Sequence, residues 1–243
     1  MGESMFRSVL AAAAAMASQA TASAQEINYI DRIDAARLET GAIHLGLFLN
    51  RERDGFFHLG WQLDGDELHV FDRSMLASME IYETMDVRLA ARDLSPRSVD
   101  IRFHSGLNIF DFDVDFQDGS VSNTITATRP RGQSGVQPLT AALPDGTLAR
   151  VTAFVIPATM EMTVGESLSL TWYAPLTHAV SEVTLTAIET VDVETPAGTY
   201  TTTRIELRGG SPENDIFVDQ DSGEVVRIDV LGQDMRFLCL ADD

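Results

Sequence analysis

The sequence predicts a mainly β protein: a single antiparallel, strongly curved sheet forming a roll or barrel-like body, with one or two short helices. Three observations predict it. Apolar and polar residues alternate with period two over many short stretches, as in Phe110-Asp111-Phe112-Asp113-Val114-Asp115-Phe116. These stretches recur at a spacing of about ten residues and are joined by turn-forming residues. No linker, low-complexity segment or internal repeat divides the region after the N-terminal leader, and 243 residues suit one domain with a sizeable core.

The chain opens with a short polar start, an alanine-rich run to Ala17, and then Ala22-Ser23-Ala24. This small-x-small pattern after a short apolar region predicts a secretory signal peptide over residues 1–24, cleaved before Gln25. The apolar run is too short for a spanning helix, and no Cys stands near the cleavage point to carry a lipid. The expectation is a soluble, single β-rich domain over 25–243, in a bacterial periplasm or secreted, with no transmembrane segment. Residues 26–39 read equally as two helical turns or a lead-in strand.

Strands then follow in order. Ala42 to Leu49 turns through Asn50–Gly55 into Phe56–Leu63, and Asp64-Gly65 is a hairpin dipeptide leading to Leu68–Phe71. Within Ser74–Leu89 the alternation from Glu80 favours a strand over a helix. Strands at Ser98–His104, Phe110–Phe116 and Ser120–Thr128 continue the meander. Arg129 to Pro138 reads as a loop, and Thr147 to Val155 as a short helix closing before Pro157. Gly165–Tyr173 and Ala179–Val193 lead into the surest hairpin, where Pro196 and Gly198 suit a tight reversal before Tyr200–Leu207. Ile216–Val218, a turn at Asp219–Gly223, Val225–Val230 and Met235–Leu240 complete the chain.

Composition narrows function. With 37 acidic against 17 basic residues the net charge is −20, a field that repels nucleic acid and anionic headgroups. Every basic residue is Arg, which excludes Schiff-base and Lys general-base chemistry. The single Cys239 forbids an internal disulfide, and in an apolar strand it reads as a buried, inert thiol.

Asp111, Asp113 and Asp115 share a strand face at a spacing of roughly 7 Å; an adjacent pair could reach a calcium ion with help from loops but all three could not, and they read as a solvated face. Asp219-Gln220-Asp221-Ser222-Gly223 departs from a calcium loop in its Gly position and has Val230 where Glu would close it; it reads as a turn. His44, His58, His69, His104 and His178 lack zinc spacing and read as surface or rim residues, unless a polar interior gathers His44, His58 and His69. No nucleophile elbow, dinucleotide fingerprint or phosphate loop occurs. Arg129 and Arg131 are anion candidates, and Trp61, Trp172 and Tyr173 are candidate pocket aromatics or core. No catalytic or ligand-binding residue is assigned, and no metal or cofactor is expected.

Four stretches carry a resemblance: Asp93-Leu94-Ser95-Pro96 before a strand; Pro157 through Gly165-Glu166-Ser167; Glu189 through Glu194-Thr195-Pro196-Ala197-Gly198-Thr199-Tyr200; and Val218, Val225–Ile228, Phe237 and Leu240. Over Gly41–Leu240 the chain resembles exported bacterial proteins of the domain-of-unknown-function 3108 (DUF3108) type. The resemblance implies a signal-bearing periplasmic β-rich body and supplies no catalytic residues.

Two functions are then expected. The first is a non-catalytic envelope protein holding a hydrophobic small molecule, lipid or partner segment. The alternative is a small β-barrel cavity enzyme, a metal-independent hydrolase, lyase or isomerase using His and Asp/Glu as acid and base.

Overall fold

The computed structural model describes residues 25–132 and 134–241. The expected signal peptide and its cleavage point lie outside the described residues. The chain enters through a two-residue strand, β1 (Gln25–Glu26), and a short helix, α1 (Ala35–Glu39), whose N-cap Asp34 accepts the Ala36 N–H at 2.8 Å.

A first antiparallel meander follows: β2 (Thr40–Leu49), β3 (Glu52–Asp64), β4 (Glu67–Leu76), β5 (Ile81–Ala90), β6 (Pro96–Ser105), β7 (Asn108–Gln117), β8 (Ser120–Thr128) and β9 (Ser134–Ala142). A short strand, β10 (Leu148–Ala149), and a helix, α2 (Thr152–Thr159), separate it from the second meander. That comprises β11 (Glu166–Ala174), β12 (Ala179–Thr195), β13 (Gly198–Arg208), β14 (Asn214–Asp219), β15 (Val225–Val230) and β16 (Met235–Cys239).

The two meanders fuse because β16 pairs antiparallel with β2, Leu238 opposite Gly46. Among the described residues the result is one sixteen-stranded sheet, curled but not closed, with β1 and β10 added to β11 in parallel. Alternation sets the inner face: Leu68 and Val70 on β4, Val87 and Leu89 on β5, Leu185 on β12 and Ile216 on β14 are all buried in one core.

The two flanks of the curl meet through side chains instead of a backbone ladder. Asn123 of β8, fully buried, donates from Nδ2 to Tyr173 Oη of β11 at 2.9 Å and to the Pro175 carbonyl at 3.1 Å. Phe116 of β7 packs edge-on to the Tyr173 ring, centroids 5.7 Å apart. Tyr173 Oη also lies 2.7 Å from His178 Nδ1.

The interior is filled by α2. Every residue of this helix except Phe154 is buried. A helix apolar on all sides has no solvent face to offer and belongs inside. The expected helix at Thr147–Val155 is therefore corrected: Leu148–Ala149 is a strand, and the helix starts later and runs through Pro157. Pro157 removes one helical hydrogen bond, yet Val155 and Ile156 are completely enclosed, and burying each contributes about 1.5–3 kcal/mol.

The expected loop at Arg129–Pro138 is also corrected. Its first half is a loop with a short 3-10 turn, but β9 begins at Ser134 and contains Pro138 opposite Thr124. In the strand order β9 is an end strand, a place in a sheet where proline's missing N–H can be tolerated. The ambiguous residues 26–39 divide between β1 and α1, and the Glu80–Leu89 alternation is indeed a strand.

Candidate functional site

Where α2 ends its fill, the roll keeps a cavity of about 370 Å³. Its wall is largely apolar: Phe57 of β3, Ile81 and Met85 of β5, Ile228 of β15 and Phe237 of β16, with Phe154 of α2 below. The rings of Phe57 and Phe237 meet edge-on at 5.4 Å, and Phe154 approaches Phe57 at 6.1 Å. Leu76 at the end of β4 and the turns at 175–178, 209–213 and 231–234, through Leu176, Pro212 and Gln233, frame the mouth. Large apolar side chains stand exposed on the turns at this end, among them Met79 (56 %), Leu107 (79 %), Leu176 and Leu231.

Three ionisable groups share this apolar chamber. Asp72 is the inward residue of β4 after Leu68 and Val70, and Glu83 is the inward residue of β5 between Ile81 and Met85. Arg150 lies between β10 and α2, anchored by its backbone N–H to the Tyr173 carbonyl at 3.1 Å. Its guanidinium lies 5.8 Å from the centre of the Trp172 ring. Asp72 and Glu83 both face Arg150, yet neither carboxylate comes within 4.0 Å of the guanidinium. Arg150 Nε is buried with no hydrogen-bond partner.

Asp72 is 5 % exposed, and its Oδ1 accepts from Ser74 Oγ at 2.5 Å. Burial pushes its carboxyl up to about 7; the Ser74 hydrogen bond opposes this, the Glu83 charge adds to it, and Arg73 and Arg150 oppose it. Burial likewise raises Glu83, against the pull of Arg150. Burial lowers Arg150, against the attraction of Glu83 and Asp72, but a guanidinium keeps its charge in a protein. The chamber therefore holds one fixed cation and two carboxyls whose hold on a proton burial strengthens.

None of the five histidines lines the cavity. His44 and His58 are exposed, directly paired across β2 and β3 with ring centroids 4.7 Å apart, and partial desolvation by its neighbours, followed by the His44 and Arg53 charges, lowers His58. His69 Nε2 lies 3.1 Å from Asp86 Oδ1, and His104 packs near Tyr82. Strand alternation places these four opposite the greasy face. His178 occupies the β11–β12 turn, bonded to Tyr173.

Asp111, Asp113 and Asp115 alternate with inward Phe112 and Val114. Asp111 accepts from Arg102 Nε at 2.7 Å, and Asp113 faces Asp100 across the ladder. Among the described residues no three His, Cys, Asp or Glu side chains are placed to hold one metal ion. The Asp219–Gly223 segment is a turn, with Asp219 Oδ2 accepting the Ser222 N–H at 2.9 Å.

Trp61 donates from Nε1 to the Arg37 carbonyl at 2.9 Å, and neither it nor Trp172 or Tyr173 lines the cavity. Arg129 is exposed. Cys239 is half-buried instead of buried, and its Sγ accepts from Tyr200 Oη at 3.9 Å.

Sequence reasoning missed Asp72, Glu83, Arg150 and Asn123. The signal for the two carboxyls was present as a fault in alternation: each occupies a position whose i±2 neighbours belong to the apolar face. Arg150 is the one charged residue between Gly146 and Met160. Comparison with protein-family models, curated proteins and solved structures gives no match.

Proposed function

We propose that this chain is an exported envelope protein of the DUF3108-like kind, acting in the periplasm or outside the cell, whose roll holds a hydrophobic small molecule or lipid without catalysing a reaction. The observation that carries the reading is the cavity itself. At about 370 Å³ it lies in the range of small-molecule sites, roughly 300–1,000 Å³, and it combines an apolar wall with few polar groups. The exposed Met79, Leu107, Leu176 and Leu231 at that end of the roll suit the passage of an apolar molecule.

Native mass spectrometry of protein purified from its own compartment tests the reading, together with titration of the neutral fluorophore N-phenyl-1-naphthylamine. The expected results are a co-purifying apolar mass and probe emission that rises to saturation. A clean apo mass with no probe uptake overturns the reading.

A second reading draws on one observation. Asp72, held near neutrality beside Ser74 and Glu83, has the carboxyl of a general acid or base at neutral pH. A metal-independent cavity enzyme would use these carboxyls in place of the histidines. Turnover of ester or lactone substrates that disappears in Asp72→Asn would favour it over binding alone.

A further inference from the structure

We propose that the cavity takes a medium-chain aliphatic carboxylate, its head on the Arg150 guanidinium and its chain running toward the mouth. This rests on the reading of the cavity as a ligand site and specifies what occupies it. Arg150 carries the argument. A guanidinium offers five N–H donors in a planar fork, and leaving them undersupplied in an apolar chamber is unfavourable. Here Nε is enclosed and closed to any occupant, no guanidinium nitrogen has a hydrogen-bond or ion-pair partner among the described residues, and the Nη pair is the side left to meet the cavity. The fork matches a carboxylate bidentately.

Charge selects the sign of the head. A cationic amphiphile would meet Arg150 in a low-dielectric pocket. A neutral alcohol could accept a hydrogen bond but would leave the charge uncompensated. Asp72 and Glu83, when protonated, donate to the incoming oxygens and do not compete for the cation. Ser74 already satisfies one Asp72 oxygen.

Size selects the chain. At roughly 30 Å³ per water-sized group, the cavity of about 370 Å³ holds on the order of a dozen non-hydrogen atoms, the number in decanoate. From Asp72 to Leu76 the strand climbs roughly 13 Å toward the mouth, with Ile81 and Met85 beside it. A two-chain phospholipid exceeds this space.

The experiment is calorimetric titration of the delipidated mature chain with decanoate, 1-decanol and decyltrimethylammonium, alongside N-phenyl-1-naphthylamine. Decanoate is expected to bind about 10- to 100-fold more tightly than decanol, the range of one charge-assisted pairing, and the cation is expected not to bind. From octanoate to decanoate affinity should rise about 4-fold per methylene and then level off at dodecanoate. In Arg150→Met the decanoate preference should vanish while the neutral probe still binds; Arg150→Lys should restore part of it.

Decanol equal to decanoate in the wild-type chain overturns the proposal whatever the variants do, and so does unchanged decanoate binding in a folded Arg150→Met. In both cases probe binding leaves the ligand site itself standing. Failure of every ligand and of the probe overturns the site.

Discussion

The two ends of the roll's interior are built from the same strands and behave oppositely. At one end Ile156 of α2 and Met160, which follows the helix, are sealed into the apolar core. At the other, only Phe154 of α2 and Val151 just before it line the space, which also holds Arg150, Asp72 and Glu83. Alternation alone would have made both ends alike. A single inserted helix decides which part of a curled sheet is core and which is chamber, and the polar residues follow the space it leaves.

The strongest test of this contrast is Ile156→Ala. With a fully buried side chain in a packed plug, the loss is expected at about 3–4 kcal/mol in denaturant unfolding. Phe154→Ala, which borders existing space, should cost less and enlarge the chamber. Equal losses would abolish the distinction between the two ends.

Asp72→Asn sharpens the contrast from the polar side. The ordinary value of this carboxyl is 3.8 and the fold pushes it up to about 7. Between those values the unfolded chain has released the proton while the folded chain keeps it. This group's contribution is therefore fully present below pH 4, falls as pH rises toward 7, and is lost above it. The variant should lack that slope and be more stable than wild type at pH 8, by an amount on the order of 2–4 kcal/mol. Decanoate binding should weaken from pH 6 to pH 8 in wild type, as Asp72 ionises among Ser74, Glu83, Arg73 and Arg150, and hold level in the variant. Urea melts across pH 5–8 and parallel titrations check both.

Asn123→Ala opens the seam between β8 and β11, leaving Tyr173 Oη and the Pro175 carbonyl short of a donor; a loss of about 2 kcal/mol is expected by denaturant titration. The smallest effect is at the rim. Leu107→Ser should change stability by less than about 0.5 kcal/mol, since this side chain is 79 % exposed, while slowing uptake of the fluorescent probe in stopped-flow mixing.

Much of the wall was legible in the sequence. Faultless alternation at Phe110–Phe116 and the Pro196–Gly198 reversal each fix local backbone choice without help from distant residues. What was hidden depends on partners far along the chain. Pro138 marks a loop unless its strand lies at a sheet end, and Pro157 stops a helix unless the helix is enclosed. The site was hidden for a related reason. Asp72 and Glu83 are ordinary carboxylates until both strands turn them inward, and Arg150 gains meaning only when α2 carries it against Trp172.

The pairing of β16 with β2 has a consequence for how the chamber comes into being. Leu47, Phe57 and Phe237 belong to one wall, yet the last of them is supplied about 190 positions after the first. A chain delivered from its amino end can fold the hairpins of its first half at once, but it has no vessel to fill until residues 235–239 arrive to join the halves. Any occupant is therefore loaded after synthesis of the whole sheet, and shortening the chain by its final strand would leave two raw edges where a container had been.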